Sequence, residues 1–459
     1  MLWALALLAR PALADDVELI LADPTRAALP RDACEARVCT SLREVIDGAT
    51  QTLDLAFYGF RQQTALFEAV TRAKKRGVRV RLVIDRTIDG SNYYTDSETW
   101  VNAFSTQTDL VVDRAQAKKQ RPFTGRPKCP RPEGFAGPLQ CLAYDLGDTC
   151  LLTAHASREP LRFEGDIMHH KFAIADGRHV WTGSTNASNS GTGGYNANLV
   201  LRIDSPTIAG FYTQEFERMY LKGQFHRTKP NAEATLREHW IVPGKVRAQV
   251  YFSPQDQPMS RVVRPLVRRA KRRIDVAVFF LTHKTLAQDL IAAHRRGVSV
   301  RVILDATAAR NGYTKHEVLR AAGIPVKVED WGGKMHAKAL AVDGSVMVGG
   351  SMNFTGAGER SNDENTVVLR SRRHVAQFEA WFDKLWNSID DRHLKGRPDP
   401  ESADSKTACR DGVDNDFDDL VDADDPGCQA PVALPPLPPI QHRLPLTAGQ
   451  ECSWELVRR

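Results

Sequence analysis

His169-His170-Lys171-Phe172-Ala173-Ile174-Ala175-Asp176 runs on to Gly183-Ser184-Thr185-Asn186. Later in the chain, His336-Ala337-Lys338-Ala339-Leu340-Ala341-Val342-Asp343 runs on to Gly350-Ser351-Met352-Asn353. Both stretches read H-x-K-x4-D-x6-G-S-x-N, so one spacing occurs twice. On a strand, residues two apart share a face. His169 therefore points with Lys171, and His336 with Lys338. Two such strands brought face to face would surround one pocket with two imidazoles and two ammonium groups. That set suits a phosphodiester: the lysines and the amides of Asn186 and Asn353 hold nonbridging oxygens, and the imidazoles attack phosphorus and move protons.

The repeat extends outward from the motifs. Thr52-Leu53-Asp54-Leu55-Ala56-Phe57-Tyr58 matches Arg273-Ile274-Asp275-Val276-Ala277-Val278-Phe279. Each is followed by a segment with apolar residues at helical spacing, basic in its last turn and stopped by Gly77 or Gly297. Apolar strand-length runs follow, Val78 to Asp85 and Val298 to Asp305. Strand, helix and strand in sequence predict parallel pairing in a covered sheet. The halves differ in an insertion at about 105–164. It is rich in Pro and Gly and carries Lys118, Lys119, Arg121, Arg126, Lys128 and Arg131, with Cys129, Cys141 and Cys150. A long irregular insertion beside a site is commonly a binding loop or lid.

The paired motifs resemble the phospholipase D superfamily over roughly Val38 to Trp386. The resemblance implies an α/β chain of two pseudo-symmetric α/β/α sandwich halves, with mixed, largely parallel sheets and one shared active site. The expected boundaries are 15–240 and 241–393. It implies a catalytic set of His169, Lys171, Asp176, His336, Lys338 and Asp343, with the two aspartates structural or orienting. Ser184 and Ser351 are expected to support the pocket, together with Asn186 and Asn353. A carboxylate often stands behind the histidine in a stretch like Asn362-Asp363-Glu364-Asn365-Thr366, and Glu364 fits it. The matching Asn196-Ala197-Asn198-Leu199 has no acid, which points to unlike roles; in single-chain members with two motifs the first histidine is commonly the nucleophile, so the resemblance implies His169 as nucleophile and His336 as acid and base. His170 should face away and be structural. No catalytic cofactor is implied.

The resemblance leaves the substrate open. A phospholipase D-like hydrolase of phospholipid head groups is expected first, acting at a membrane surface. The alternative is a metal-independent endonuclease, or an enzyme like the mitochondrial cardiolipin hydrolases, to which the second half is similar; nucleic acid is then the substrate. A calcium-dependent binding protein with a dead site is disfavoured by intact histidines and lysines in both motifs. The formal charge of +6 is too modest to imply nucleic acid by itself. A monomer is expected.

Residues 1–14, with an apolar run ending Ala12-Leu13-Ala14, read as a signal peptide, although Arg10 interrupts it and a basic start is missing. No later stretch is long and apolar enough for a transmembrane helix. Eight cysteines without zinc-finger spacing fit an oxidising destination, secreted or periplasmic. Residues 394–459 begin with a linker by composition, Lys395 to Pro400. A Cys409–Cys428 segment follows, in which Asp414, Asp416, Asp418, Asp422 and Asp425 alternate. Such carboxylates can wrap a structural calcium ion, Ca2+. The run resembles thrombospondin type 3 calcium repeats, but has Asp419 where a turn glycine is usual. The bracketing cysteines are expected to be joined. A Pro-rich spacer, 430–445, closes the tail.

Overall fold

Thr52–Phe57 and Arg79–Ile84 are strands joined by the helix Thr64–Lys75, which buries Leu66, Ala69, Val70 and Ala73. The strands pair in parallel from Thr52 with Arg79 to Phe57 with Ile84. Arg273–Val278, the helix Lys284–Arg295 and Ser299–Leu304 repeat this unit. Gly77 (φ +90°) and Gly297 (φ +86°) end the two helices in the left-handed conformation that glycine adopts without cost. These elements come from a computed structural model that describes residues 15–26, 29–119, 140–143, 149–153, 165–231, 236–311, 313–403, 405, 408–416, 420–429 and 442–445. The expected signal peptide and most of the basic insertion lie outside the described residues.

The first half is built on a seven-stranded sheet in the order Asp16–Leu21, Leu199–Asp204, His179–Gly183, Lys171–Ala175, Thr52–Phe57, Arg79–Ile84, Ser105–Thr108. The second sheet repeats that order as Val246–Ser253, Glu364–Arg370, Val346–Gly350, Lys338–Val342, Arg273–Val278, Ser299–Leu304, Val326–Val328. It adds Glu238–Val242 at one edge, making eight strands. Three expectations are corrected here. The sheets are mixed, but antiparallel pairing predominates in both. The cause lies in the motifs: each motif strand turns back through Asp176-Gly177 or Asp343-Gly344, all at positive φ, and a tight turn joins only antiparallel neighbours. The boundary falls before Glu238, because that strand belongs to the second sheet. Ser105–Thr108 matches Val326–Val328, so the insertion begins after this strand rather than at 105.

Helices cover both faces of each sheet. On the outer faces, Arg37–Gly48 and Thr64–Lys75 pack on the first sheet and Arg264–Arg269 and Lys284–Arg295 on the second. Pro206–Tyr220 and Arg372–Ser388 lie between the halves. There Tyr212, Phe216, Phe378 and Phe382 share one core with Phe172 and Leu201 of the first sheet and Ala339 and Leu369 of the second. Duplication reaches the side chains of this layer. Arg81 bonds Asp54 and stacks on Phe216 and Tyr220; Arg301 bonds Asp275 and stacks on Phe382 and Trp386. A Cβ on Gly349 would come within 2.9 Å of Leu199, so the bare backbone lets the two sheets approach.

The described start of the tail is docked rather than loosely linked. Arg320 donates to the carbonyls of His393 and Gly396, and Glu401 is fully buried. Disulfides join Cys409 to Cys428, as expected, and Cys34 to Cys39. Among the described residues no helix is long and apolar enough to cross a membrane.

Candidate active site

Each motif histidine precedes its strand and is held by the opposite half. His169 N–H donates to the Asp363 carbonyl at 2.9 Å, and His336 N–H to the Ala197 carbonyl at 3.0 Å. Lone bridges pair Met168 with Asp363 and Ala197 with Met335. The stretch after each motif therefore clamps the other half's histidine, and the two sites close into one. The lysines mirror each other: Lys171 Nζ donates to the His169 carbonyl and Lys338 Nζ to the His336 carbonyl, both at 2.7 Å. Lys171 lies over the Tyr58 ring at 5.4 Å and Lys338 over Phe279 at 5.1 Å. The same rings pack on the imidazoles, Tyr58 on His169 at 5.4 Å and Phe279 on His336 at 5.1 Å.

The symmetry breaks behind the imidazoles. His169 Nδ1 lies 2.8 and 2.9 Å from the two Glu364 carboxylate oxygens, while His336 Nδ1 lies 3.2 Å from Asn198 Oδ1. Ser351 Oγ donates to Glu364 at 2.7 Å, and Ser184 Oγ to Asn198 Oδ1 at 2.8 Å. Both partners thus receive a proton on Nδ1 and leave each Nε2 with a lone pair. Burial, then the Lys171 and Lys338 ammonium groups, hold His169 well below the usual imidazole range. Burial, Lys338, Lys171 and His169 do the same to His336. Burial pushes the Glu364 carboxyl up to about 8 against the pull of Lys171. Burial also brings the Lys171 ammonium down to about 7.

His169, Lys171, His336, Lys338 and Glu364 are brought together, with Ser184 and Ser351 behind them. Asn186 and Asn353 are positioned by their motif loops. Asn186 Nδ2 donates to the Tyr94 hydroxyl, and both side-chain carbonyls are buried without a hydrogen-bond partner. Asp176 and Asp343 are corrected out of the catalytic set. Asp176 accepts from the backbone N–H of Thr50, Gln51 and Thr52, and Asp343 from those of Lys271, Arg272 and Arg273. They tie strand starts together at the far end of each hairpin. His170 is fully buried against Phe172 and Phe252, 3.4 Å from Glu215, as a structural residue should be.

Several groups carry no local sequence signal. Asn198 is one, since its role comes only from the opposite half. Another is a buried ionic cluster behind His169, where Lys229 bonds Glu215 and reaches Asp363 at 2.6 Å. In it His226 lies 3.0 Å from Asp363 and 3.1 Å from Asp109. Although burial opposes it, Asp363 and Asp109 push the His226 imidazole well up, so it stands as a cation.

In the tail, Asp414 and Asp416 meet Glu401, which sequence reasoning missed, with one oxygen from each within 4.8 Å of the others. Asp416 Oδ1 is buried without a hydrogen-bond partner. These three fit a hard cation. Asp422 does not join them: its oxygens accept from Asp411 N–H and Gly412 N–H, both at 3.0 Å. Asp425 accepts from Gly427 N–H. Asp418 lies outside the described residues.

Comparison with known proteins agrees with this geometry. The family described as "Cardiolipin synthase, PLD-like domain" matches residues 139–220 and 263–386. The chain is similar to a mitochondrial cardiolipin hydrolase of Chlamydomonas reinhardtii, 34% identical over 158 residues, covering 34% of this chain and 70% of that protein. It is similar to a phospholipase D of Rickettsia felis, 28% identical over 178 residues, covering 38% of this chain and 88% of that one. The fold matches phosphatidylserine synthase of Haemophilus influenzae with a TM-score of 0.51 at 12% identity, over 82% of this chain and 88% of that one. With two such motifs clamped into one pocket and relatives of this kind, the chain belongs to the phospholipase D superfamily and is a hydrolase.

Proposed function

We propose that the chain is a secreted phospholipase D-like phosphodiesterase, releasing phospholipid head groups through a phosphohistidine on His169. The observation that carries the assignment is Glu364 behind His169, with only an amide behind His336. A carboxylate stabilises the charge an imidazole gains on bonding phosphorus; an amide does so far less. His169 Nε2 attacks phosphorus, the bond to the leaving oxygen breaks, and His336 Nε2 delivers the proton that this oxygen takes. His336 then removes a proton from water, whose oxygen displaces His169 and releases the second product. The phosphodiester anion, lodged between Lys171 and Lys338, offsets the ammonium charges that depress His336 and so lets it take up a proton. The two lysines supply the positive charge at the nonbridging oxygens, so no metal is needed for these steps.

Two disulfides among the described residues support an oxidising destination. Glu401, Asp414 and Asp416 would hold a structural Ca2+. A cardiolipin hydrolase-like activity is the second reading, favoured by the similarity to the Chlamydomonas protein. Product analysis decides the substrate, with purified enzyme offered vesicles of phosphatidylcholine, phosphatidylglycerol and cardiolipin, and plasmid DNA. Head-group release is expected. DNA cleavage with every vesicle untouched would overturn the lipid assignment. For the mechanism, His336→Ala should still form phosphoenzyme from a diester with a 4-nitrophenolate leaving group, and His169→Ala should not. Phosphate found on His336 in the wild type would reverse the roles.

A further inference from the structure

We propose that Asp109, Asp113 and His226 form a buried site for one divalent transition-metal ion, Zn2+ by the chemistry of its donors, behind the catalytic pocket and separate from the tail. One ligand atom from each lies within 4.8 Å of the others. His226 Nε2 is 3.1 Å from Asp109 Oδ2 and 3.4 Å from Asp113 Oδ1. Tetrahedral Zn2+ with bonds of about 2.0–2.2 Å holds its ligand atoms about 3.3–3.5 Å apart, so these donors need little movement. Asp109 and Asp113 stand one turn apart at the start of the helix Leu110–Ala117 and so share a face. All three side chains are fully buried. Asp113 Oδ1 has no hydrogen-bond partner among the described residues, since the Nε2 proton of His226 serves Asp109. On the other side of the ring, Asp363 lies 3.0 Å from Nδ1, the carboxylate–histidine arrangement that fixes a metal-binding tautomer. An imidazole among carboxylates suits Zn2+ better than the all-oxygen ions Ca2+ and Mg2+.

The second half shows the same ground built with cations of the chain itself. Asp305 and Glu329 follow Ser299–Leu304 and Val326–Val328 as Asp85 and Asp109 follow Arg79–Ile84 and Ser105–Thr108. Arg86 N–H donates to Asp109 and Ala306 N–H to Glu329, so the acid pair is a duplicated feature. In the second half Lys334 lies within electrostatic reach of Asp305 and Glu329. His393, which follows Arg372–Ser388 as His226 follows Pro206–Tyr220, accepts on Nε2 from Arg392 Nε at 3.3 Å. The first half has Ile167 where the motif spacing puts Lys334, and it adds Asp113. Negative charge is thus added where a countercharge is missing. Lys229 approaches Asp363, but Glu215 shares it. A buried carboxylate without a countercharge is costly, and a divalent ion offsets that cost. Zn2+ takes the place of the Nε2 proton, which leaves to water, while Nδ1–H stays on Asp363. The ion braces the helix Leu110–Ala117 against the second half. Met168 N–H keeps its 2.8 Å bond to Asp85 with or without it, so its role is structural.

The test uses the full-length protein, purified without chelator. Elemental analysis should find about one Zn2+ per chain in the wild type and almost none in Asp113→Asn. Glu401→Gln, which alters only the tail carboxylates, should keep its Zn2+. X-ray absorption at the zinc edge should show one imidazole nitrogen among oxygen ligands at about 2.0–2.2 Å, which a site made of carboxylates alone does not give. Returned to metal-depleted protein, Zn2+ at about 100 times its Kd should raise Tm by about 3 °C. That gain should vanish in Asp113→Asn, which keeps the side chain's shape. Turnover of bis(4-nitrophenyl) phosphate should stay the same in this variant, because the ion is not at phosphorus. Should the variant fail to fold, the metal content and zinc-edge spectrum of the wild type still decide. Wild-type protein that takes up no Zn2+, an equal Tm gain in wild type and Asp113→Asn, or zinc ligated by oxygen alone overturns the proposal.

Discussion

Replacing Glu364 by Gln keeps the side chain's shape and removes its charge. The carboxylate is fully buried and bonded to His169 Nδ1 and Ser351 Oγ. When Nε2 bonds phosphorus, the ring gains positive charge about 4 Å from the carboxylate, an attraction of about 4 kcal/mol at an effective dielectric near 20. A glutamine amide would retain a neutral hydrogen bond of about 1 kcal/mol. The difference of about 3 kcal/mol, reduced somewhat by relaxation of the site, slows phosphoenzyme formation roughly 30- to 150-fold. Single-turnover kinetics with bis(4-nitrophenyl) phosphate reads this step directly, because the leaving group needs no protonation. KM should stay nearly constant, since Lys171 and Lys338 remain. If Glu364→Gln forms phosphoenzyme within about threefold of the wild-type rate, while Asn198→Ala nearly abolishes it, the nucleophile is His336 and the reasoning fails.

Lys171 binds phosphate only as a cation, and burial has brought it down to about 7. The value of kcat/KM, which reports the free enzyme, should fall as pH rises through about 7, and a flat profile up to about two units higher would contradict this. Burial pushes the Glu215 carboxyl up, but Lys229 and His170 outweigh it and hold it down to about 2, against an ordinary value of 4.5. A depressed folded-state acid adds stability above its unfolded value and loses it as pH falls toward the folded one. Denaturant titrations should therefore show stability dropping between about pH 4.5 and 2, and Lys229→Met should cost about 3–5 kcal/mol at neutral pH. An undiminished midpoint for that variant would remove the cluster from the stability argument. Gly349→Ala should destabilise by about 1–3 kcal/mol through its contact with Leu199, read as a lower Tm. Chelation should leave turnover of a soluble diester intact while speeding proteolysis between Cys409 and Cys428; loss of turnover would show that a metal takes part in catalysis.

The motif spacing alone determined much of this protein. His169 with Lys171, and His336 with Lys338, share a face because side-chain alternation on a strand is a local property. The strand-helix-strand units around Gly77 and Gly297 were legible for the same reason, as periodicity and helix stops are written within a dozen residues. The same locality misled where a residue's partner lies elsewhere. Asp176 and Asp343 sit inside the motifs, yet they cap strand starts 70 or more positions before them. They also turn the motif strands into hairpins and make the sheets mainly antiparallel. Pairing of acid with histidine was decided only by tertiary structure: Glu364 reaches His169 across 195 positions, and Asn198 reaches His336 across 138. Nor could composition show that the start of the Lys395–Pro400 segment is docked, with Arg320 bonded to the His393 and Gly396 carbonyls. Contacts between the halves depend on how two sheets pack through Tyr212, Phe216, Phe378 and Phe382. That packing is a sum of non-directional burial over the whole chain, and no short stretch of sequence encodes it.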